Sequence, residues 1–253
     1  MISKNTIKRL NSLSLKKYRN KENLFLVEGD KMVMEVIQSS FNIAELYVTA
    51  ELETRIYETD LPSEKINIID HNELKKISQL KTPQNSIAVC CIPNTAKLPE
   101  SLDQPLSVYL DGIQDPGNLG TIIRLCDWFG VQNVFCSTDT VDLFNPKVIQ
   151  ASMGSFLRIN VFTSSLDEVK SIAKKSGAIV YGAFIEGENV YRANLASKAV
   201  LVMGNEGNGI REESVHLIDQ KISIPPFSGS NNKAESLNVS VATAILCSEF
   251  KRR

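Results

Sequence analysis

The sequence lacks any apolar run long enough to span a bilayer, and its first residues lack the apolar core of a secretory signal. A soluble, cytoplasmic protein is therefore the expectation, with no membrane partner. Cysteine is scarce: Cys90, Cys91, Cys126, Cys136 and Cys247 form an odd set without a CxxC pair, and His71 and His216 are the only histidines. That leaves no convincing zinc set, so no metal is expected, and a reducing compartment suits the thiols. Cys126 and Cys247 fall inside apolar helical patterns and read as small core residues. Two nucleotide-binding signatures are also missing. Gly204, Gly207 and Gly209 space as GxxGxG and not as the dinucleotide fingerprint, and no Gly-Lys-Ser/Thr follows a glycine loop. A nucleotide-binding oxidoreductase is disfavoured on that ground. There is no internal repeat and no low-complexity tract.

What is present begins with an uneven charge distribution. The 28 basic and 29 acidic side chains nearly cancel over 253 residues. Yet the first 21 residues carry Lys4, Lys8, Arg9, Lys16, Lys17, Arg19 and Lys21 with no acidic residue, and Lys251-Arg252-Arg253 close the chain. Local basic patches matter more than global balance for phosphate contact; the competing reading is a solvated basic tail.

Pro93, Pro99 and Pro105 punctuate a stretch with little apolar periodicity, which predicts a linker over 98–105 between domains at 1–97 and 106–253. In the first domain, strands are expected at Phe25-Leu26-Val27, Leu46-Tyr47-Val48, Ile66 to Ile69 and Ile87 to Cys91. Asp30 is expected to cap a helix, and Asp70 with Glu73 reads as a capping box. In the second, strands at Ser107–Leu110, Val131–Phe135, Ile159–Phe162, Ile179–Phe184, Ala199–Met203 and Lys221–Ile224 alternate with helices. Near-continuous apolar strands of this kind predict an α/β fold, a parallel sheet with helices on both faces, beside a small N-terminal α/β domain.

Three segments stand at expected strand carboxyl ends, where such sheets bind ligands. The first is Leu110-Asp111-Gly112 through Asn118 to Arg124. Asn118 opens a helix, and Arg124 is a cation among Ile122, Ile123, Leu125 and Cys126, which must find a partner or snorkel. The second is Gly204-Asn205-Glu206-Gly207-Asn208-Gly209, a glycine turn carrying a carboxylate with little packing role. The third runs from Ile224-Pro225-Pro226 to Ser236-Leu237-Asn238-Val239-Ser240, where the prolines free the following backbone from the ladder and either Ser236 or Asn238 caps the last helix.

As a set, these segments resemble the three motifs of the SpoU/TrmH family of RNA ribose 2′-O-methyltransferases, within the SPOUT superfamily, over roughly residues 104–253. The first hundred residues resemble the L30e-like substrate-binding domain, through Phe25-Leu26-Val27-Glu28-Gly29 and Lys81-Thr82-Pro83-Gln84. The link between Pro225 and Ser236, with Ser228-Gly229-Ser230-Asn231-Asn232-Lys233, is longer than the family's. The resemblance implies S-adenosylmethionine as cofactor, held by the main chain of Gly204, Ile224 and Leu237 in a C-terminal trefoil knot. It implies a homodimer whose site lies at the interface, and an RNA substrate, ribosomal RNA favoured over transfer RNA. It makes Arg124 the activator of the ribose hydroxyl, as base or as electrostatic stabiliser, with Asn118, Glu206, Ser236 and Asn238 beside it. Lys16, Lys17 and Arg19 are the candidate RNA contacts of the basic segment. A non-catalytic RNA-binding or ribosome-assembly protein is the alternative.

Overall fold

The structure, a computed structural model, describes residues 1–94, 96–228 and 235–252. The centre of the long link, Gly229 to Lys233, and the terminal Arg253 lie outside the described residues. Two compact units form: Met1–Asn94 with Asp142–Leu157, and 95–141 with 158–253.

In the first unit the basic N-terminus folds as two helices, α1 (Lys4–Ser12) and α2 (Lys16–Glu22). Ser3 caps α1 by accepting from the Thr6 amide at 3.1 Å. Leu10 and Leu13 are fully buried in a core with Leu26, Leu74, Ile77 and Ile87. The tail reading of this segment is therefore overturned: apolar residues at helical spacing anchor it. β1 (Leu24–Glu28), α3 (Asp30–Ile37), β2 (Ile43–Val48), α4 (Ala50–Tyr57), β3 (Ile66–Ile68), α5 (His71–Ile77) and β4 (Ser86–Cys91) follow. The sheet runs β1-β4-β2-β3, with β4 antiparallel to both neighbours and β2 parallel to β3. Two expected caps differ. Gly29, at φ +104°, precedes α3, and Asp30 begins the helix, its carboxylate accepting from the Asn85 amide and the Ser86 hydroxyl. Asp70 does cap α5 through the Glu73 amide, but the Glu73 side chain accepts from the Ile2 amide, so the box is half made.

The second unit contains β5 (Leu106–Asp111), α6 (Pro116–Trp128) and β6 (Asn133–Cys136); α7 (Pro146–Ser152) belongs to the first unit. β7 (Asn160–Thr163), α8 (Leu166–Ser176), β8 (Ile179–Asn189), β9 (Ala199–Gly204), α9 (Glu212–Val215), β10 (Gln220–Ser223) and α10 (Val239–Arg252) complete it. Its sheet has the order β10-β8-β9-β5-β6-β7 with every neighbouring pair parallel. β5 and β9 at the centre are buried along their whole length, which is why they read as unbroken apolar runs. One face packs Tyr109, Phe135, Val180 and Val200 against Val169 and Ile172 of α8; α10 packs against α6 and β9. Cys126 and Cys247 are fully buried, as expected of core thiols. β8 runs past its expected end to Asn189: Gly182 pairs with Lys221 and Glu188 with Ile222, so the register shifts between them.

Asp142–Leu157, expected within the second domain, packs in the first unit. Phe144 lies 4.5 Å from Phe25, and Phe156 contacts Phe25 and Phe41. Asp142 pairs with Arg19 at 2.5 Å. Aromatic burial and a charge that needs a partner explain the excursion.

Candidate active site

β6 and β7 extend the sheet to one side of β5, while β9, β8 and β10 lie on the other. The strand order thus reverses between β5 and β9, and the crevice beyond their carboxyl ends is the place such sheets offer a ligand. Leaving β5, Asp115 caps α6 by accepting from the Asn118 amide at 2.9 Å, with Pro116 in the first turn. Asn118 is therefore not the cap, and its carboxamide is free to face the crevice.

Leaving β9, the chain folds back at once. Asn205 and Gly209 exchange two backbone hydrogen bonds of 2.9 Å. A Cβ on Gly204 would lie 2.1 Å from the Gly209 carbonyl carbon, so only glycine permits this turn. The close approach at Gly204 is thus made by the chain's own backbone. Asn205 is the pivot: its Oδ1 accepts from the amides of Gly207 and Asn208, and its Nδ2 donates to the Gly112 carbonyl at 2.8 Å.

Glu206 projects from that turn. Its Oε1 accepts from the Asp115 amide at 3.1 Å and Asn118 Nδ2 at 3.0 Å; its Oε2 accepts from the Gln114 amide at 3.2 Å and Asn205 Nδ2 at 3.3 Å. Partial burial opposes its ionisation, but the hydrogen bonds from Asn118 and from backbone amides outweigh it and hold the carboxyl below its usual range. Asn118 Oδ1 in turn accepts from Asn238 Nδ2 at 2.9 Å. Asn238 Oδ1 caps α10, taking the amide of Ser240 at 2.9 Å and of Val241 at 3.3 Å, and the Ser240 hydroxyl.

The orientation of both carboxamides follows from the ends of this relay. Backbone N–H groups at α10 can only donate, so Asn238 must present its oxygen there and its nitrogen to Asn118. Glu206 as carboxylate can only accept, so Asn118 must turn its nitrogen to it. The relay joins all three marked segments.

The other expected residues are not part of it. Arg124 is exposed on α6, six residues beyond Asn118, which places it about 9 Å along the helix and roughly 240° around it. Among the described residues it has no ion pair, having snorkelled to the helix surface. Ser236 is exposed and makes no hydrogen bond to the relay among the described residues. Ile224, half-buried, follows β10 directly, and Leu237, half-exposed, precedes Asn238. Ile224 lies outside the β10 ladder and Leu237 outside α10, so neither main chain is committed to regular structure there, and backbone of that kind can pair with the donor and acceptors of an adenine edge. Residues present there fit the implied cofactor.

Arg19 does not fit its expected role. It is 1 % exposed, donates to the Leu13 and Ser14 carbonyls and pairs with Asp142, so it cannot meet RNA. Arg9 is likewise bound by both Glu45 oxygens at 2.5 and 2.7 Å. Lys4, Lys8, Lys16, Lys17 and Lys21 remain exposed.

One network was not anticipated. Asp111, 1 % exposed at the end of β5, accepts from the Arg211 amide at 3.0 Å and lies 3.2 Å from Arg211 Nε. Arg211 Nη2 also reaches Asp139 at 2.6 Å. An acid closing an apolar strand needs a cation, which was the available signal. Among the described residues no group of three or more His, Cys, Asp or Glu side chains could hold a metal, and no helix is long and apolar enough to cross a membrane.

Known proteins resemble this chain along most of its length. Residues 105–248 match the SpoU rRNA Methylase family, and residues 4–88 match the MRM3-like substrate binding domain. The chain is 34% identical over 242 residues to the 23S rRNA (guanosine(2553)-2'-O)-methyltransferase RlmP of Bacillus subtilis (strain 168), covering 95% of this chain and 93% of that one. A Porphyromonas gingivalis protein assigned to the TrmH family of RNA methyltransferases superposes with a TM-score of 0.86 at 39% identity, covering 100% of this chain and 99% of the other. An AdoMet-bound rRNA methyltransferase from Sinorhizobium meliloti superposes with a TM-score of 0.86, covering 100% and 96%; at 24% identity that likeness carries the fold alone.

Proposed function

Since this chain belongs to the SpoU rRNA methylase family, we propose that it methylates a ribose 2′-hydroxyl of ribosomal RNA, using S-adenosylmethionine. The observation that carries the reading is the Asn238–Asn118–Glu206 relay at the reversal of strand order. When bound, the cofactor supplies a methyl group on a sulfonium. The main chain of Gly204, Ile224 and Leu237 holds it, within a C-terminal trefoil knot. A ribose hydroxyl is a weak acid, so its attack depends on stabilising the developing alkoxide. Arg124 does this as a permanently charged guanidinium. Asn118 and Asn238 orient the substrate, Glu206 keeps both carboxamides turned correctly, and Ser236 adds a hydroxyl.

The active form is a homodimer in the cytoplasm. Trp128 on α6 is 83% exposed, and Val241 on the adjoining α10 is 49% exposed, an apolar surface a second copy would cover. Activity retained by a strictly monomeric species in light scattering would remove that part. The N-terminal unit supplies RNA affinity through Lys16, Lys17 and their exposed neighbours.

The central test is methyl transfer from labelled S-adenosylmethionine to unmethylated ribosomal RNA transcribed in vitro, followed by mass analysis of the nucleosides. A 2′-O-methylated nucleoside is expected. RNA binding without any incorporation would favour the non-catalytic alternative.

A further inference from the structure

In a parallel sheet all strand carboxyl ends share one edge. Beyond the edge formed by β5 and β9 lies the carboxamide relay, and beyond β8 and β10 lie two aromatic side chains. Tyr191 stands two residues past β8 and Phe227 four residues past β10; their ring centroids are 6.3 Å apart and tilted by 35°. Phe227 is 86% exposed and Tyr191 39%.

The backbone at Tyr191 is held. The Val190 amide donates to the Ser223 carbonyl at 3.0 Å, joining the tail of β8 to β10. The Tyr191 amide donates to Asn189 Oδ1 at 2.9 Å. Pro225 and Pro226 restrict the approach to Phe227. Among the described residues the Phe227 ring meets Tyr191 and is otherwise open to water.

We propose that Tyr191 and Phe227 form the platform on which the base of the methylated nucleotide stacks. The proposal rests on the RNA-methylating function above. β8 lies two strands from β5 and β10 three, so Tyr191 and Phe227 leave the sheet about 10 Å and about 14 Å to the side of the end of β5. A nucleotide with its ribose at the relay and its base turned toward β8 closes that distance together with the reach of the two aromatic side chains. RNA recognition commonly places unstacked bases on aromatic faces, and every base has such a face. Trp128 cannot serve here. α6 leaves the carboxyl edge and returns to the opposite one, putting Trp128 about 15 Å along the helix from Asn118. The adenine of the cofactor is the weaker occupant, because a cofactor pocket is concave and encloses most of its ligand, whereas Phe227 projects from the surface.

The test uses the full-length protein with in vitro-transcribed ribosomal RNA and with S-adenosylmethionine as separate probes. Combining Tyr191→Ala with Phe227→Ala should raise the KM for RNA about tenfold or more, leaving the cofactor Kd from calorimetry unchanged; Phe227→Tyr should restore the KM. Trp128 is the single tryptophan of the chain, so Phe227→Trp in a Trp128→Phe background gives a fluorophore at the platform alone. Its emission should be quenched by RNA and not by S-adenosylmethionine. A weakened cofactor Kd with quenching by the cofactor would assign the pair to adenine and overturn the proposal. So would an unchanged KM with no quenching by RNA. Failure of the functional reading is separable: the wild-type protein would incorporate no methyl group, while quenching by RNA would still report the platform.

Discussion

Glu206→Gln is the sharpest perturbation of the relay, because it keeps the shape and removes only the acceptor character. Each carboxylate oxygen accepts two N–H groups, at 3.0 to 3.3 Å. A carboxamide has one oxygen, so two of the four donors would face an NH2 group. Two hydrogen bonds lost and two donors opposed come to about 4 kcal/mol at 1 kcal/mol each; halved for the exposure of the side chain, about 2 kcal/mol remains. That is roughly a thirtyfold change in the population of the ordered loop. Hydrogen exchange at the Gln114 and Asp115 amides should accelerate by about that factor, and methyl transfer should slow in parallel, while the melting temperature falls by at most about 4–8 °C. The pH dependence follows in sign. The folded-state carboxyl titrates below its ordinary value of 4.5, so its contribution is complete above that pH and is lost as pH falls through the folded value. Wild-type protein should lose loop protection on such acidification, and the Gln variant should show no such step. Wild-type turnover in Glu206→Gln, or unchanged exchange at both amides, would refute the reasoning.

Three further outcomes are expected. Arg124→Ala should cut methyl transfer on the order of a hundredfold or more with fold and cofactor affinity intact, since the side chain is exposed; near-normal turnover would remove it from the chemistry. Lys16→Ala with Lys17→Ala should flatten the log–log salt dependence of RNA binding by up to about 2, whereas Arg19→Ala should leave that slope alone and destabilise by about 3 kcal/mol, having broken a buried ion pair; equal slopes in wild type and double variant would take these lysines off the RNA surface. Gly204→Ala should abolish cofactor binding in calorimetry, because a methyl group 2.1 Å from Gly209 must displace the turn; unchanged affinity would show the turn to be incidental to the site.

Alternating apolar strands and helical periodicities were enough to place the six strands of the catalytic sheet within a few residues, because those patterns are local consequences of burial on two faces. The glycine turn, the Arg124 helix and the Pro225–Pro226 break were legible for the same reason: glycine, proline and a charge among aliphatics each constrain the nearby backbone. What residue spacing could not decide was which polar groups bond to which, although the family resemblance put Asn118, Glu206 and Asn238 at one site. Asn118 joins Glu206 across 88 positions and Asn238 across 120, and neither separation has a local signature. Asn118 could be read as a cap until Asp115 took that place. Arg19 looked like one more cation in a basic run until packing buried it against Asp142, and Arg211 drew no notice until Asp111 ended β5 beneath it. Side-chain chemistry is a property of the residue; the partner that directs it is set by how the strand ends converge, and only the tertiary structure holds that information.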